Sequence, residues 1–558
     1  APKTPDEILS VKVCDPACGS GTFPVAALRF LTDALHAAHH HHHTDAAREP
    51  DDVHFRALLR RQVVERCIYG VDLDPLAVEL CRLALWIETM DRTLPFSFLD
   101  HKIKAGNSLV GAWFDTYQHY PAMAWKERGA LNREKDIKKF NSSVVKPDLA
   151  DLLSGRTAMF EGPSEDPLTI HAEAMAGLEA IHRLPEHESA ERAKRYHALR
   201  SSSAFLTLKE AMDLWCACWF WPLDRLDHAP LPTTIGDPSE ETAATLTEVQ
   251  ARKQFFHWEL EFPDVFGPGR GGFDAVLGNP PWDVAKPNSK EFFSNLDPLY
   301  RSYGKQEALA YQAKYFEDPT VARAWELYND DFKAQSNFVG HSANPFGDPE
   351  VGDSYAVATG ARNVDLHREW RHRRRVSRGY ADAAHPFRHQ GSADVNLYKL
   401  FLEQAHALLR AGGRLGFIVP SGIYSDHGTG DLRRLFLDAC AWEWLFGFEN
   451  REKVFAIHSR FKFNPIIIVK GGRTEAIRTA FMRRRLEDWE RGEDFATPYS
   501  RAQVDQFSPR SKAILEIQSA RDLEILERIY KNSVLLGDDG PDGWGIQYPT
   551  EFHMTHDS

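Results

Sequence analysis

A short apolar run, Val11-Lys12-Val13-Cys14, breaks at Asp15-Pro16 and leads within a few residues to Gly19-Ser20-Gly21. Apolar residues at helical spacing follow from Phe23 to Ala38. A strand that passes through a glycine turn into a helix presents unpaired N–H groups at the helix start. The glycines let a ligand approach the backbone where a Cβ would clash. The pattern is neither the dinucleotide G-x-G-x-x-G nor a P-loop, since no Gly-Lys-Ser/Thr follows. A second strand, Cys67-Ile68-Tyr69-Gly70-Val71, ends at Asp72. Asp74-Pro75 then supplies a cap and first-turn signal for an apolar helix, Ala77 to Met90. Strand, glycine turn, helix, strand and acidic end together open a doubly wound α/β domain.

The alternation lasts for residues 1–115, and charged, mostly helical sequence takes over at 116–265, including Leu168 to Leu199 and Leu206 to Cys218. Strand character returns within 266–285 as Phe273-Asp274-Ala275-Val276-Leu277, directly before Asn279-Pro280-Pro281-Trp282. A second polar insertion occupies 286–390. Within 391–475, Asn396 to Leu409 reads as an amphipathic helix ended by Gly412-Gly413, and Leu415 to Val419 as a buried strand. Trp442 to Phe448 and Pro465 to Lys470 read as the last strands. The stretch 476–558 is charged and reads as helical, and it contains no internal repeat of earlier sequence.

Composition narrows the classes. With 558 residues, 43% of them hydrophobic, wholesale disorder is excluded, and the length allows about three or four domains. No apolar run approaches the ~18 residues of a membrane span, and no signal peptide is legible, so a soluble chain without a membrane partner is expected. Seven scattered cysteines fit a reduced, cytosolic compartment and no disulfide scaffold. No C-x-x-C pair or finger-like ligand spacing points to zinc, so no metal is expected. A net charge of -13 argues against nonspecific coating of nucleic acid but permits a local basic groove. Arg368 to Arg378 is such a cluster, with Arg371, Arg373, Arg374 and Arg375 as candidate phosphate contacts and a solvated helix face as the alternative. The run His39 to His43 is read as a solvated loop after the first helix rather than a metal site.

The chemistry concentrates in few residues. Asp72, at a strand end, has the geometry to accept both hydroxyls of a ribose. Asn107, in Gly106-Asn107-Ser108-Leu109 at the end of a third strand, offers a side-chain amide to an adenine edge, or simply makes a turn. In Asn279-Pro280-Pro281-Trp282, two prolines fix the backbone and remove two N–H donors. What remains is a rigid rim of acceptors, the Asn279 side-chain oxygen and the Pro280 carbonyl, beside the aromatic face of Trp282. Such a rim suits an amino group conjugated to a ring, whose lone pair becomes nucleophilic once two acceptors draw its hydrogens out of plane. Trp282 would stack on the flipped base.

Asp15-Pro16-Ala17-Cys18-Gly19-Ser20-Gly21 resembles the S-adenosylmethionine loop of amino-group DNA methyltransferases, and Asn279-Pro280-Pro281-Trp282 resembles their catalytic motif. Gly70-Val71-Asp72-Leu73-Asp74-Pro75, Gly106-Asn107-Ser108-Leu109, Phe262-Pro263-Asp264-Val265-Phe266, Phe417-Ile418-Val419-Pro420 and Ser459-Arg460-Phe461-Lys462-Phe463 extend the likeness. The wording is similar to large adenine-specific methylases, the type IIG restriction–modification enzymes and the methylases of phage-defence systems such as BREX and DISARM. The motif order matches the gamma arrangement. The resemblance implies an α/β, Rossmann-like class I S-adenosylmethionine-dependent methyltransferase sheet with large helical insertions. It implies that Asp15, Pro16, Ala17, Cys18, Gly19 and Gly21 hold the methionine half of S-adenosylmethionine, Asp72 and Leu73 the ribose side, and Asn107 and Ser108 the adenine. Asn279 and Pro280 would polarise the target amino group, held with Pro281 in a rigid turn. Duplex DNA, with other restriction or defence-complex subunits, would be the partner, in a bacterial or archaeal cytoplasm.

Asn107 stands where the family more often has an acidic residue, and little sequence precedes Asp15. The stretch 476–558 is expected to begin a target-recognition region cut short, so the chain reads as a fragment. A fused nuclease of the common metal-dependent kind is not expected, because no Glu has Lys two positions later. An RNA or protein-glutamine N-methyltransferase, or a noncatalytic scaffold in a defence complex, are the competing functions. The distance of about 264 residues between Asp15 and Asn279 favours DNA.

Overall fold

The computed structural model describes residues 3–42, 53–89, 99–114, 116–117, 120–126, 128, 133–153, 189–266, 271–345, 385–391, 395–537, 540–541 and 543–546, with isolated positions between 173 and 184. The chain separates into two units, residues 1–418 with 469–471, and residues 419–468 with 472–558. The Arg368 to Arg378 cluster, with Arg371, Arg373, Arg374 and Arg375, and His43 lie outside the described residues.

The first unit is built on β1 (Val13–Asp15), β2 (Ile68–Asp72), β3 (Ile103–Ala105), β4 (Phe273–Gly278) and β5 (Leu409–Pro420), in the order β3-β2-β1-β4-β5. Every neighbouring pair is parallel. Parallel neighbours need crossover connections, and helices supply them. These are α1 (Pro5–Leu9), α2 (Thr22–His41), α3 (Val53–Cys67) and α4 (Pro75–Thr89). Leu28, Leu31 and Leu35 of α2, Val63 and Val64 of α3, and Val78, Cys81 and Leu85 of α4 form one core with Ile68 and Ile103 of the strands. Val13 pairs with both Ile68 and Ala275, so the topology reverses between β1 and β4. Open α/β sheets bind ligands in the crevice at such a switch point, beyond the strands' C-terminal ends. The Rossmann-like α/β expectation holds.

The insertions are helical. The first contains Glu134–Phe140, Lys146–Leu153, Ser189–Arg200, α5 (Ser203–Phe220) and α6 (Glu240–Lys253). Helix α5, capped by Ser202, is buried at every position from Ala211 to Phe220. A helix apolar all round needs neighbours on all sides. The second contains α7 (Pro319–His341), with Asp318 as cap and Pro319 at its first position. Helix α8 (Leu397–Leu408) returns the chain to the sheet.

Three local expectations are corrected. Gly412-Gly413 does not end a helix: α8 stops at Leu408 and β5 begins at Leu409, so both glycines lie inside the strand. Gly412 has φ +76°, and the register of β4 on β5 shifts between Phe273 and Ala275, as in a bulge. The histidines are not a loop: His39, His40 and His41 form the last turn of α2 and His42 its cap. The His39 ring lies edge-on to Phe55 at 5.8 Å, and burial, its main perturbation, lowers its pKa. The third correction concerns the strands of the second unit, which continue past Lys470.

The second unit contains β6 (Cys440–Glu449), β7 (Lys462–Lys470), β8 (Ala476–Arg483) and β9 (Thr497–Ser500), in the order β7-β6-β8-β9. Strands β6 and β8 pair in parallel, β8 and β9 antiparallel. The Phe448 and Phe463 rings stack at 4.9 Å. Residues after 475 thus include two strands as well as helices. Their charges found apolar cover: Arg478 lies over the Trp444 ring at 4.3 Å and pairs with Glu493 at 2.7 Å.

Candidate active site

Strands β1 and β4 end side by side, which brings the glycine turn and the Asn-Pro-Pro-Trp turn together. The contact is direct: a Cβ on Gly278 would come within 2.6 Å of the Asp15 Oδ1. Only a glycine lets the two strand ends approach this closely. Asp15 is buried, and its Oδ1 accepts from the Ala17 N–H at 3.0 Å. Burial pushes its carboxyl up to about 7; the Ala17 N–H opposes this and the Asp72 carboxylate adds to it.

The glycine turn is internally tied. Cys18 N–H donates to the Val71 carbonyl at 3.0 Å, and Gly19 N–H donates to the Asp72 Oδ2 at 2.8 Å. Gly21, at φ +96°, caps α2, and a Cβ there would meet the Cys81 Sγ at 2.9 Å. The Cys18 thiol belongs to the core; its hydrogen bond with Cys81, then burial, raise its pKa. Asp72 also accepts from the Asp74 N–H at 3.0 Å, while Asp74 accepts from Leu76 N–H at 2.9 Å, the cap the sequence assigned to it.

A cavity of about 1200 Å³ opens in front of these turns. Pro16, Ala17, Asp72, Leu73, Asn107 and Ser108 line one side, and Asn279 and Pro281 another. Asp15, Cys18, Gly19, Gly21, Pro280 and Trp282 are not among its lining residues. The first four shape the turn from behind. Trp282, half-buried, donates from Nε1 to the Ile418 carbonyl at 3.3 Å. The Asn279 Oδ1 is buried and has no hydrogen-bond partner. A buried acceptor left open costs about 1–3 kcal/mol, so its presence at a cavity wall marks a place built for a donor.

Sequence reasoning missed the walls that the insertions contribute. Arg252 and Lys253 at the end of α6, Phe332 and Gln335 on α7, and Leu397 and Phe401 on α8 line the same cavity. The only signal in the chain was that α6 ends in Arg-Lys. The first insertion is bolted to the Asn107 loop: Asn107 N–H donates to the Gln254 carbonyl at 2.7 Å, and Trp258 Nε1 to the Ser108 carbonyl at 2.9 Å. The Ser108 Oγ donates to the Pro16 carbonyl at 2.5 Å, which closes the ring of loops. Beneath it, Lys102 donates to Asp264 at 2.7 Å, giving the Phe262 to Phe266 segment a structural role.

Two family models match this chain. The Eco57I restriction-modification methylase model matches residues 187–318 and 376–455, and the DNA-methyltransferase domain of MmeI matches residues 3–118. The chain belongs to the restriction–modification DNA methyltransferase family. Its curated relatives include a putative type II restriction enzyme and methyltransferase of Methanocaldococcus jannaschii, 24% identical over 314 residues, covering 52% of this chain and 24% of that one. The Escherichia coli type II restriction enzyme and methyltransferase RM.Eco57I is 30% identical over 119 residues, covering 19% of this chain and 12% of that one. The methyltransferase chain thus spans a quarter or less of the relatives it matches. Among solved structures, a nuclease-deletion mutant of the Type ISP restriction-modification enzyme LlaGI in complex with a DNA substrate mimic aligns over 87% of this chain and 23% of that one, at 10% identity and a TM-score of 0.30. Among the described residues of this methyltransferase, no helix is long and apolar enough to cross a membrane, and no group of three His, Cys, Asp or Glu side chains could hold a metal ion.

Proposed function

We propose that this chain transfers a methyl group from S-adenosylmethionine to the N6 amino group of a flipped adenine in duplex DNA, as part of restriction–modification or phage defence. The observation that carries the reading is the buried, unpartnered Asn279 Oδ1 on the wall of a cavity also lined by Asp72 and Asn107. An aromatic amino group is a donor that this acceptor lacks. With the Pro280 carbonyl as second acceptor, the amino hydrogens would be drawn out of the ring plane and the nitrogen lone pair freed. Pro281 keeps the turn rigid, and Trp282 supplies the aromatic face.

The residues fit the cofactor. Asp72 is fixed by two backbone N–H groups, which leaves lone pairs on both oxygens for ribose hydroxyls. Leu73 gives the adenine an apolar neighbour, and Asn107, with Oδ1 bound to the Leu109 N–H at 3.1 Å, keeps its amide donor for a ring nitrogen. Bound S-adenosylmethionine supplies the electrophilic methyl group. The chain contributes positioning and hydrogen bonds, with no covalent enzyme intermediate. Arg371, Arg373, Arg374 and Arg375 would track DNA phosphates; replacing Arg373, Arg374 and Arg375 should weaken binding and flatten its salt dependence, and an unchanged slope would return the cluster to a solvated surface.

The complete parent gene expressed in a host lacking adenine methylation, with Asn279→Ala as control, provides the test. Modification-sensitive long-read sequencing of the host DNA should find N6-methyladenine at one recurring sequence, absent in the control. Modified cytosine in its place, or no modified base at all, would contradict the reading.

A further inference from the structure

Helix α4 is apolar on two opposite faces. Val78, Cys81 and Leu85 point into the core. On the other side Leu76, Leu80, Leu83 and Ile87 are 66%, 47%, 44% and 53% exposed. Their spacing alternates steps of four and three, which is the a/d seam of a two-helix coiled coil. Leu73, 52% exposed, extends the seam at one end and lies on the lip of the large cavity. Phe30 of α2, 74% exposed, adjoins the other end, because its neighbour Arg29 pairs with Glu88 at 2.5 Å. A helix hydrophobic on both sides is expected to be covered on both.

We infer that this face is the two-fold interface between two copies of the chain, α4 packing antiparallel on α4. The stripe is self-complementary under that symmetry: Leu80 meets Leu83 of the second copy, and Leu76 meets Ile87, each contact occurring twice. The flanks agree. Ala77 and Ala84 on one side are small enough for close approach, and on the other Glu79 falls opposite Trp86 of the second copy, so no like charges face each other across the seam. Leu73 and Phe30 match end to end, so Phe30 of the second copy covers the lip of the cavity. The proposed interface therefore adds a side chain from each copy to the other's candidate cofactor site.

Sedimentation velocity on the full 558-residue chain across a concentration series tests this. The unmodified chain should reach twice the monomer mass. Leu80→Glu/Leu83→Glu should halve that mass, because the glutamates would face each other, whereas Leu80→Glu/Leu83→Lys should restore the dimer through two crossed ion pairs. Leu309→Glu, an exposed apolar position elsewhere, should leave the dimer intact, and matched circular dichroism of all variants controls for folding. A chain monomeric at every concentration would overturn the inference and give the face to another polypeptide. A dimer that survives Leu80→Glu/Leu83→Glu, or a Leu80→Glu/Leu83→Lys chain as monomeric as the Glu/Glu variant, would overturn it as well.

Discussion

The glycine turn and the Asn-Pro-Pro-Trp turn stand at the ends of adjacent strands and treat their polar groups in opposite ways. In the glycine turn the N–H groups of Ala17, Cys18 and Gly19 each have a fixed acceptor within the protein. In the other turn the prolines have removed two donors, and the Asn279 Oδ1 is buried without one. The first is a finished surface that a cofactor can meet without rearranging it. The second is an unfinished hydrogen bond, and its completion is left to the substrate. A preorganised acceptor of this kind acts when charge develops on the reacting group and costs no reorganisation at that moment.

The comparison can be broken most severely where the turns touch. Gly278→Ala would place a methyl group 2.6 Å from the Asp15 Oδ1 and force the turns apart. A displacement of about an ångström should reduce methyl transfer about a hundredfold. Single-turnover assays with methyl-labelled cofactor would register this, and an unaltered rate would show that their contact is dispensable. Asp72→Ala attacks the finished turn alone. It removes the acceptor of Gly19 and Asp74, and at about 1.5–3 kcal/mol per charged hydrogen bond cofactor affinity should fall at least tenfold. Calorimetric titration with S-adenosylmethionine measures it.

A smaller effect sharpens the role of Asp15. Its carboxyl is raised from 3.8 to about 7 in the fold, so folding favours the protonated form. The sign follows from linkage: the carboxyl costs nothing below about pH 4, and its destabilising effect grows as pH rises and is complete above about 7. Asp15→Asn should therefore melt at the same temperature as the parent near pH 4 and several degrees higher at pH 8. A difference that shrinks with rising pH would contradict the assigned direction.

What the sequence made legible follows the same division. β1, α2, β2, α4 and β4 could be read because each has a clean apolar period bounded by Asp, Gly or Pro. The strand order between β1 and β4, which places Asp15 beside Gly278, depends on long-range pairing that no local pattern encodes. Helix α3 was hidden because its polar residues do not mark an outer face: Glu65 is buried and pairs with buried Arg192 at 2.8 Å. Strands β8 and β9 were obscured by arginines that pack on aromatic rings instead of facing water. The cavity walls from α6, α7 and α8 were illegible for a similar reason, since Phe332 and Gln335 look like any half-exposed helical positions until the fold sets them in front of Asn279.

The central claim is that the open Asn279 acceptor serves the target amino group and not the cofactor. Measuring both S-adenosylmethionine affinity and the single-turnover rate of methyl transfer to DNA for Asn279→Ala tests it most directly. Cofactor affinity should stay within about twofold of the parent, while transfer should fall by about a hundredfold to a thousandfold, as for loss of one preorganised hydrogen-bonding group. A variant that methylates at near-normal rate, or one whose only defect is weak cofactor binding, would contradict the account.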